Sequence, residues 1–266
     1  MEFQYFSDVH CEMYTSNPEK ITKFDIKPCA PYLILAGDIG HPFSQIYDDF
    51  LTLLSPQYKH IFITSGNHEY YKTNYFETLK IPEIQWMQSV DQKIYDICRS
   101  KSNITYLQDD IYEFSDNNLA IYGATFWTNI KPEERSNVRQ YLIDYREIPG
   151  FSMEVGIKKH EYSCNTLSKY IEANPSKKII VVSHHLPSYE LVNERYLNIK
   201  PEINSAYATD ISISNHPNIK AWIAGHTHIP IEKGKFHVNP IGYPNEYRDD
   251  SENREKPNFN KTFMIL

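Results

Sequence analysis

The chain has 266 residues, a formal net charge of -7 and 14% aromatic side chains, including 21 Tyr. This charge argues against a surface built to hold long nucleic acid, which requires a basic face. It leaves phosphate substrates open, because bound divalent cations would dominate the local field. The aromatic content supplies apolar surface for a sizeable core and excludes disorder over most of the length.

The four cysteines show no C-x-x-C spacing, which argues against a zinc ribbon or a redox motif. Scattered thiols of this kind are typical of an intracellular protein, in which they stay reduced. The chain starts without a basic region followed by an apolar stretch, and no run approaches the ~18 apolar residues of a membrane-spanning helix. We therefore expect a soluble, cytoplasmic protein without a membrane partner.

Five short apolar segments each end abruptly at a polar cluster, and their β-branched and aromatic residues predict strands. These strands are Glu2–Phe6, Tyr32–Ala36, His60–Thr64, Ile179–Val182 and Ala221–Ala224. Segments with helical length and periodicity lie between them, at Ser44–Leu54, Glu83–Arg99 and Val155–Ala173. This alternation predicts a mostly buried sheet covered by helices. In such sheets, ligands bind beyond the carboxyl ends of the strands.

The middle of the chain, Ile104–Trp127, reads as consecutive strands joined by turns, which predicts a second sheet with antiparallel pairing. A final pair of strands is predicted at Lys235–Asn239 and Lys261–Leu266. Residues 131–150 and 186–217 lack a clear periodic pattern, and we expect both to be excursions over the surface. Long irregular segments in compact domains are usually functional or mobile.

Each of the five strands ends in a cluster of carboxylate, imidazole or amide groups. In order, the clusters are Asp8-Val9-His10, Gly37-Asp38, Gly66-Asn67-His68-Glu69, Ser183-His184-His185 and Gly225-His226-Thr227-His228. Such donors suit Mn, Fe, Zn, Ni or Co ions. Residues at i and i+2 of an extended chain project to the same side, so Asp8 with His10, or His226 with His228, can hold one ion. Because the clusters must converge on one site, we expect one domain over residues 1–266.

The order of these clusters resembles the calcineurin-like metallophosphoesterase superfamily, whose blocks are D-x-H, G-D, G-N-H-[DE], a lone His after a strand, and G-H-x-H. The match runs from Asp8 to His228, and Asn239–Pro244 is similar to a stretch that follows the last block in some members. Cys11 stands where the first block often has Gly, which could narrow the space beside the first ion. The resemblance implies an α/β fold, a four-layer α/β/β/α sandwich with two mixed sheets.

The resemblance also implies a dinuclear centre with two divalent metal ions, Mn being the expected metal and Fe, Zn, Ni or Co the alternatives. Asp38 would bridge the ions. The ligands implied for the first ion are Asp8, His10, Asp38 and His228, and those for the second are Asp38, Asn67, His184 and His226. His184 is preferred to His185 because it directly follows the strand.

Two ions can share a water, lower its pKa and clamp the phosphate, so that a bridging hydroxide attacks the phosphorus. Asn67 and His68 are the candidate catalytic residues, and His68 would protonate the leaving oxygen or hold a phosphate oxygen. Glu69 has two open interpretations: it orients the imidazole of His68, or it caps the segment at Tyr70 and Tyr71.

Candidate substrate contacts are His185, beside the ligands, and side chains of the two excursions. The cations there are Arg146, Arg195 and Lys200, and the aromatic residues are Tyr145, Tyr189 and Tyr196. A cation in this position can reach over a phosphate, and a tyrosine can stack on a nucleobase. Ordinary surface charge and core packing are the alternatives.

The sequence therefore predicts a metal-dependent phosphoesterase acting on a small phosphomonoester or phosphodiester, including nucleotides as a candidate class. Two alternatives stay open. A binding scaffold that kept the fold and lost the chemistry would lack ligands or the histidine at position 68. A nuclease-type phosphodiesterase would need a basic track and usually further domains. The substrate itself is not legible, because specificity lies in the loops.

Overall fold

The computed structural model describes residues 1–14, 26–244 and 258–266, without the side chains of Arg195 and Ile199. Its strands are β1 (Glu2–Phe6), β2 (Tyr32–Ala36), β3 (His60–Thr64), β4 (Ile104–Tyr106), β5 (Asp110–Glu113), β6 (Leu119–Gly123), β7 (Lys178–Val182), β8 (Ile219–Ala224), β9 (Ile231–Lys233), β10 (Phe236–Val238) and β11 (Thr262–Met264). Its helices are α1 (Gln45–Leu54), α2 (Asn74–Leu79), α3 (Glu83–Arg99), α4 (Arg135–Tyr141), α5 (Asp144–Glu147), α6 (Met153–Ala173) and α7 (Glu194–Ile199).

The strands form two mixed sheets. The first has the order β11-β1-β2-β3-β4, in which β1 to β4 are parallel and β11 is antiparallel. The second has the order β5-β6-β7-β8-β10-β9, with parallel pairing from β6 to β10 and antiparallel β5 and β9 at its edges. The strands that end in polar clusters are therefore parallel to one another within each sheet: β1, β2 and β3 in the first, and β7 and β8 in the second.

The alternation of side chains along β2 explains how the layers form. Leu33 and Leu35 face α1 and α3, whereas Ile34 and Ala36 face the second sheet. A strand that is covered on both sides must be apolar throughout, which is why these strands read as continuous apolar runs. Helix α6 covers the outer face of the second sheet through residues such as Leu167. The four-layer α/β/β/α sandwich with two mixed sheets is therefore confirmed.

The prediction that Ile104–Trp127 lies in one antiparallel sheet is wrong in part. Ile104–Tyr106 pairs in parallel with β3 at the edge of the first sheet. Only Asp110–Glu113 and Leu119–Gly123 form the antiparallel pair, in the second sheet. Ile104–Tyr106 follows α3 directly. A strand that is connected to its neighbour through a helix pairs with that neighbour in parallel.

The two predicted excursions contain short helices and pack against each other. Helix α4, in segment 131–150, contacts the 3-10 helix Pro201–Ala206, in segment 186–217, through a small apolar cluster that includes Val138 and Ile203. The buried carboxylate of Glu134 accepts a hydrogen bond from the backbone N–H of Ser205 at 2.8 Å. Their sequences show no long period because each helix is only about two turns or shorter.

Membrane insertion through a helix finds no support in residues 1–14, 26–244 and 258–266. None of the helices formed there combines the length and the hydropathy that crossing a bilayer requires.

Candidate metal centre

The polar clusters meet where the carboxyl ends of the central strands come together. Backbone hydrogen bonds join one strand-end loop to the next: the N–H of Asp8 donates to the carbonyl of Gly37 at 3.0 Å, and the N–H of His10 donates to the carbonyl of Asp38 at 3.0 Å. In the second sheet, the N–H of Gly225 donates to the carbonyl of His184 at 3.0 Å. The N–H of His226 donates to Oδ1 of Asp8 at 3.1 Å and so connects the loops of the two sheets.

Several candidate ligands have a left-handed backbone. Asp8, His10, Asp38, His226 and His228 have φ angles between 50° and 74°. This region is uncommon outside glycine, and such residues often mark functional sites. The buried hydrogen bonds between the loops hold the backbone in this conformation.

Glycines are needed next to the ligands for steric reasons. A Cβ atom on Gly66 would lie 2.1 Å from Oδ1 of Asp38, and one on Gly225 would lie 2.6 Å from Oδ2 of Asp8. Any residue other than glycine at these two positions would therefore clash with the carboxylate of a candidate ligand.

One group of donors lies around Asp8. Oδ1 of Asp8 is 3.3 Å from Nε2 of His228, which is in turn 3.1 Å from Nε2 of His10. His10 also approaches Asp38, with Nε2 and Oδ2 4.0 Å apart. All of these residues are buried, and one ligand atom from each of Asp8, His10 and His228 fits within 4.8 Å.

A second group lies around His184. Its Nε2 atom is 3.3 Å from Oδ2 of Asp38 and 3.1 Å from Oδ1 of Asn67. Ligand atoms of Asp38, His184 and His226 also lie within 4.8 Å of one another. Asp38 therefore lies within reach of both groups.

The donors fit divalent cations. Nε2 of His226 is buried and has no hydrogen-bond partner, although buried polar atoms are usually paired. Burial, together with neighbouring His185, lowers the pKa of His226 well below its ordinary value, so its imidazole is neutral as a metal ligand must be. Oxygen and imidazole donors without thiolate suit Mn, Fe, Zn, Ni or Co.

Charge coupling within the site is strong. Burial alone would raise the pKa of Asp38, but the imidazoles of His184 and His68 hold it well below its ordinary value. Conversely, burial would lower the pKa of His184, but the carboxylate of Asp38 raises it to about 9. In this arrangement, positively charged imidazoles offset the negative charge of the carboxylate. Bound cations would supply that positive charge instead.

Asp144 holds Asn67 in place, and sequence reasoning missed it. Its buried Oδ1 accepts hydrogen bonds from Nδ2 of Asn67 at 3.0 Å and from the hydroxyl of Tyr71 at 2.6 Å. Because the amide nitrogen is bound there, the amide oxygen of Asn67 points toward His184. Asp144 belongs to α5, in the first excursion, and no local pattern links it to Asn67.

Glu12 performs the orienting role that the sequence analysis offered to Glu69. Its Oε1 atom is 3.2 Å from Nδ1 of His10 and 3.6 Å from Nδ1 of His68. Although burial would raise its pKa, the hydrogen bond with His10 and the close imidazole of His68 lower the pKa of Glu12 to about 2. On the other side of His68, Nε2 lies 3.3 Å from the hydroxyl of Tyr243.

Glu69 instead fastens two strand-end loops to each other. Its carboxylate accepts backbone N–H groups from Asp38 at 3.0 Å, Ile39 at 2.7 Å and Gly66 at 2.7 Å. Both interpretations based on sequence, orientation of His68 and a cap on Tyr70 and Tyr71, miss these contacts. Burial, followed by the charge of Asp38, raises the pKa of Glu69 to about 8, whereas the amides of Gly66 and Ile39 lower it.

His185 is buried behind the ligands. Its Nδ1 atom is 3.3 Å from the carbonyl of Thr125, and its ring centroid is 4.3 Å from that of His226. Burial and neighbouring His184 lower its pKa to about 3, so the ring packs as a neutral group. This position suits a residue that supports His226 better than one that touches a substrate.

The excursion residues differ in where they lie. Arg146 is exposed, and its guanidinium donates to the carbonyl of Gln140 at 3.4 Å. The side chain of Arg195 falls outside the described part of the chain. Tyr145 stacks on Phe151 in the core, and Lys131 covers the ring of Tyr189. The remaining residues, Lys200 and Tyr196, lie near or in the cavity described next.

A cavity of about 300 Å³ opens over these donors. Its floor includes Asp38, Asn67, His226 and His228, and His68 lies at its side. Five tyrosines, two aliphatic residues, Asp144 and Thr227 complete the lining. Arg146 and His185 are not among the residues that line it.

Comparisons with known proteins agree with this architecture. A sequence model of the family described as calcineurin-like phosphoesterase matches residues 1–230. Uncharacterized protein L509 of Acanthamoeba polyphaga mimivirus is 28% identical over 226 residues, which span 79% of this chain and 75% of that protein.

Two solved structures share the fold. Phosphopantetheinyl hydrolase (PptH) from Mycobacterium tuberculosis superposes with a TM-score of 0.69 at 18% identity, covering 94% of this chain and 92% of the other. TT1561 of Thermus thermophilus superposes with a TM-score of 0.50 at 12% identity, covering 91% and 88%. At these identities the likeness concerns the fold alone.

Proposed function

This chain belongs to the calcineurin-like phosphoesterase family, and we propose that it hydrolyses a small phosphomonoester or phosphodiester with the help of two divalent cations. One observation carries the proposal. Carboxylate, imidazole and amide donors from five separate strand ends converge within a few ångströms, at the floor of a cavity open to a small ligand.

The donors divide into two sets that share Asp38. We assign Asp8, His10, Asp38 and His228 to one cation, and Asp38, Asn67, His184 and His226 to the other. When bound, two such cations activate a water for attack and neutralise charge on the phosphate. The orphaned Nε2 of His226 and the facing Nε2 atoms of His10 and His228 support this assignment.

His68 is our candidate for proton transfer. Its Nδ1 atom faces Glu12, so its Nε2 atom faces Tyr243 and the cavity. Burial lowers the pKa of His68, but Asp38 and Glu12 raise it more, which favours the protonated form that a general acid needs. The ring also stacks on Tyr71, with centroids 4.2 Å apart, which restricts its rotation.

The two alternatives receive less support. A scaffold that lost its chemistry would be expected to lack ligands or His68, and every one of these positions is filled. A nuclease would need a basic track. Among the cavity-lining side chains that the structure describes, there is no lysine or arginine. Manganese as the native metal and a cytoplasmic location stay predictions.

The test is metal-dependent turnover. Protein stripped with EDTA is assayed with p-nitrophenyl phosphate and bis-p-nitrophenyl phosphate before and after Mn²⁺ is restored. We expect no hydrolysis by the stripped protein and recovery with Mn²⁺. An Asp38→Asn preparation is the matched control, because a contaminating phosphatase would survive that substitution. Failure of every tested divalent metal to restore turnover on either ester would contradict the proposal.

A further inference from the structure

One side of the cavity is an apolar, largely aromatic wall. It is formed by Tyr141, Leu142, Ile143, Tyr196 and Tyr207, which all come from the two excursions. We refer to these five residues as the aromatic wall. None of them belongs to the sequence blocks that define the donors, so the wall is a feature of this chain's excursions.

The aromatic wall has a firm support. Helix α4 packs on the 3-10 helix Pro201–Ala206 through Val138, Ile203 and Ala206, which are buried. Polar contacts join the segment just before α4 to the same 3-10 helix: Glu134 accepts from the N–H of Ser205 at 2.8 Å, and Ser205 Oγ accepts from the N–H of Lys131 at 3.2 Å. These contacts hold the two excursions against each other and give the wall a packed base.

The aromatic wall begins beside the donors. The ring of Tyr207 lies 5.5 Å from that of His226, and the ring of Tyr196 is stacked 6.3 Å from Tyr207 at an interplanar angle of 27°. Farther out, Tyr141 is 45% exposed, and Nζ of Lys200 lies 4.3 Å from the centre of its ring. A group attached to a phosphate at the donors would meet these rings directly.

The chemistry of this surface selects for a flat apolar group. Its described side chains carry no charge, and tyrosine rings stack favourably on aromatic ligands at low cost in conformational entropy. A cavity of about 300 Å³ is at the small end of the range for small-molecule sites. A short ester that carries one ring system fits such a volume, whereas a long polymer does not.

We propose that the aromatic wall binds an aromatic ring carried by the organic group that the scissile phosphate esterifies, so that the substrates are small phosphate esters with one ring system, the class to which nucleotides belong. This inference rests on the proposed function, since it takes the phosphate to lie over the donors. It goes further by assigning Tyr141 and Tyr196 as residues that determine specificity.

The experiment compares two ligands that differ by one aromatic ring. An adenosine phosphonate with methylene in place of the ester oxygen resists hydrolysis, and the matched ribose phosphonate lacks adenine. Their dissociation constants for Mn²⁺-loaded protein are measured by calorimetry. We expect the adenosine compound to bind roughly tenfold more tightly, as stacking of a base on tyrosine predicts. Equal affinities would overturn the proposal.

Variants locate the effect. Tyr141→Leu and Tyr196→Leu should each reduce the affinity ratio of the two phosphonates to about twofold or less. Tyr162→Leu is the matched control, because Tyr162 is 61% exposed on α6 and does not line the cavity. It should keep the wild-type ratio. A ratio that both wall variants retain, or a hexyl phosphonate that binds as tightly as the adenosine compound, would overturn the aromatic assignment.

The outcomes separate this inference from the proposed function. Adenine-dependent binding by a protein that hydrolyses no ester would overturn the proposed hydrolysis and support the wall as a binding surface. Metal-dependent hydrolysis with no preference for the aromatic ligand would support the proposed hydrolysis and overturn the assignment of the aromatic wall.

Discussion

The floor and the aromatic wall of the same cavity are built in different ways. The floor consists of residues at the ends of buried parallel strands, where backbone hydrogen bonds and glycines fix each donor. The wall consists of side chains on and beside short helices, and a small apolar cluster and hydrogen bonds join these segments. Strand ends place chemical groups accurately, and excursions adapt the space around them.

Burial follows the same division. In the floor, Asp38 is 2% and Asn67 is 3% exposed, whereas Tyr141 in the wall is 45% exposed. Changes in the floor should therefore affect the hydrolysis of every ester, and changes in the wall should affect the choice between esters. Substitutions in the floor give the strongest tests of this contrast.

The largest effect is expected from Asp38→Asn. Asp38 reaches both donor groups. Loss of its charge should therefore weaken the binding of both cations and lower turnover roughly 10³-fold on every substrate. Metal analysis after gel filtration and kcat on p-nitrophenyl phosphate measure the two effects. A variant that keeps two tightly bound ions and normal turnover would show that Asp38 does not bridge.

A smaller and more selective effect is expected from His68→Ala. Removal of a general acid costs on the order of 10²-fold, and more when the leaving group is poor. We therefore expect a larger loss on phenyl phosphate than on p-nitrophenyl phosphate, with two ions still bound. The two kcat ratios and the metal content are the measurements.

Metal content decides what His68 does. Ligand atoms of His10, Asp38 and His68 also lie within 4.8 Å of one another, so a direct metal contact is the competing role. If His68→Ala loses as much metal as Asp38→Asn does, or if the two leaving groups suffer equally, the assignment as an acid is wrong.

The smallest effect tests the boundary between floor and excursions. Asp144 belongs to an excursion but orients Asn67 through a hydrogen bond. Asp144→Asn should therefore lower the affinity for one of the two cations by about 10- to 100-fold, the usual cost of losing a residue that orients a metal ligand. Titration of stripped protein with Mn²⁺ measures the two affinities. Glu147→Gln on the same helix, outside the cavity lining, is the control. Equal loss of affinity for both cations would contradict the idea that Asp144 acts on one cation only, through Asn67.

The floor was legible in the sequence because each donor directly follows its strand. Pairs such as Asp8 with His10 are local, and apolar runs identify the buried parallel strands that carry them. The same logic recovered the connecting helices, whereas the four layers were implied by the family resemblance. It failed at Ile104–Tyr106, because an apolar run alone does not tell which sheet a strand joins.

The supporting residues were not legible, because their contacts span the fold. Asp144 lies 77 positions from Asn67, and Tyr243 lies 175 positions from His68. Glu12 is close to His10 in sequence, but its carboxylate reaches His68 only because two loops adjoin. Glu69 was noticed and misinterpreted, since its partners include backbone amides of another strand end, those of Asp38 and Ile39.

The left-handed backbone at five of the donors limits which residues the site can accept during evolution. Asp and His are among the few residues, apart from glycine, that adopt this conformation readily, and both are also good metal ligands. Glutamate could offer similar donor atoms to a cation, yet at Asp8 or Asp38 it would meet an unfavourable main-chain geometry. Backbone conformation and coordination chemistry therefore restrict these positions to the same few residue types.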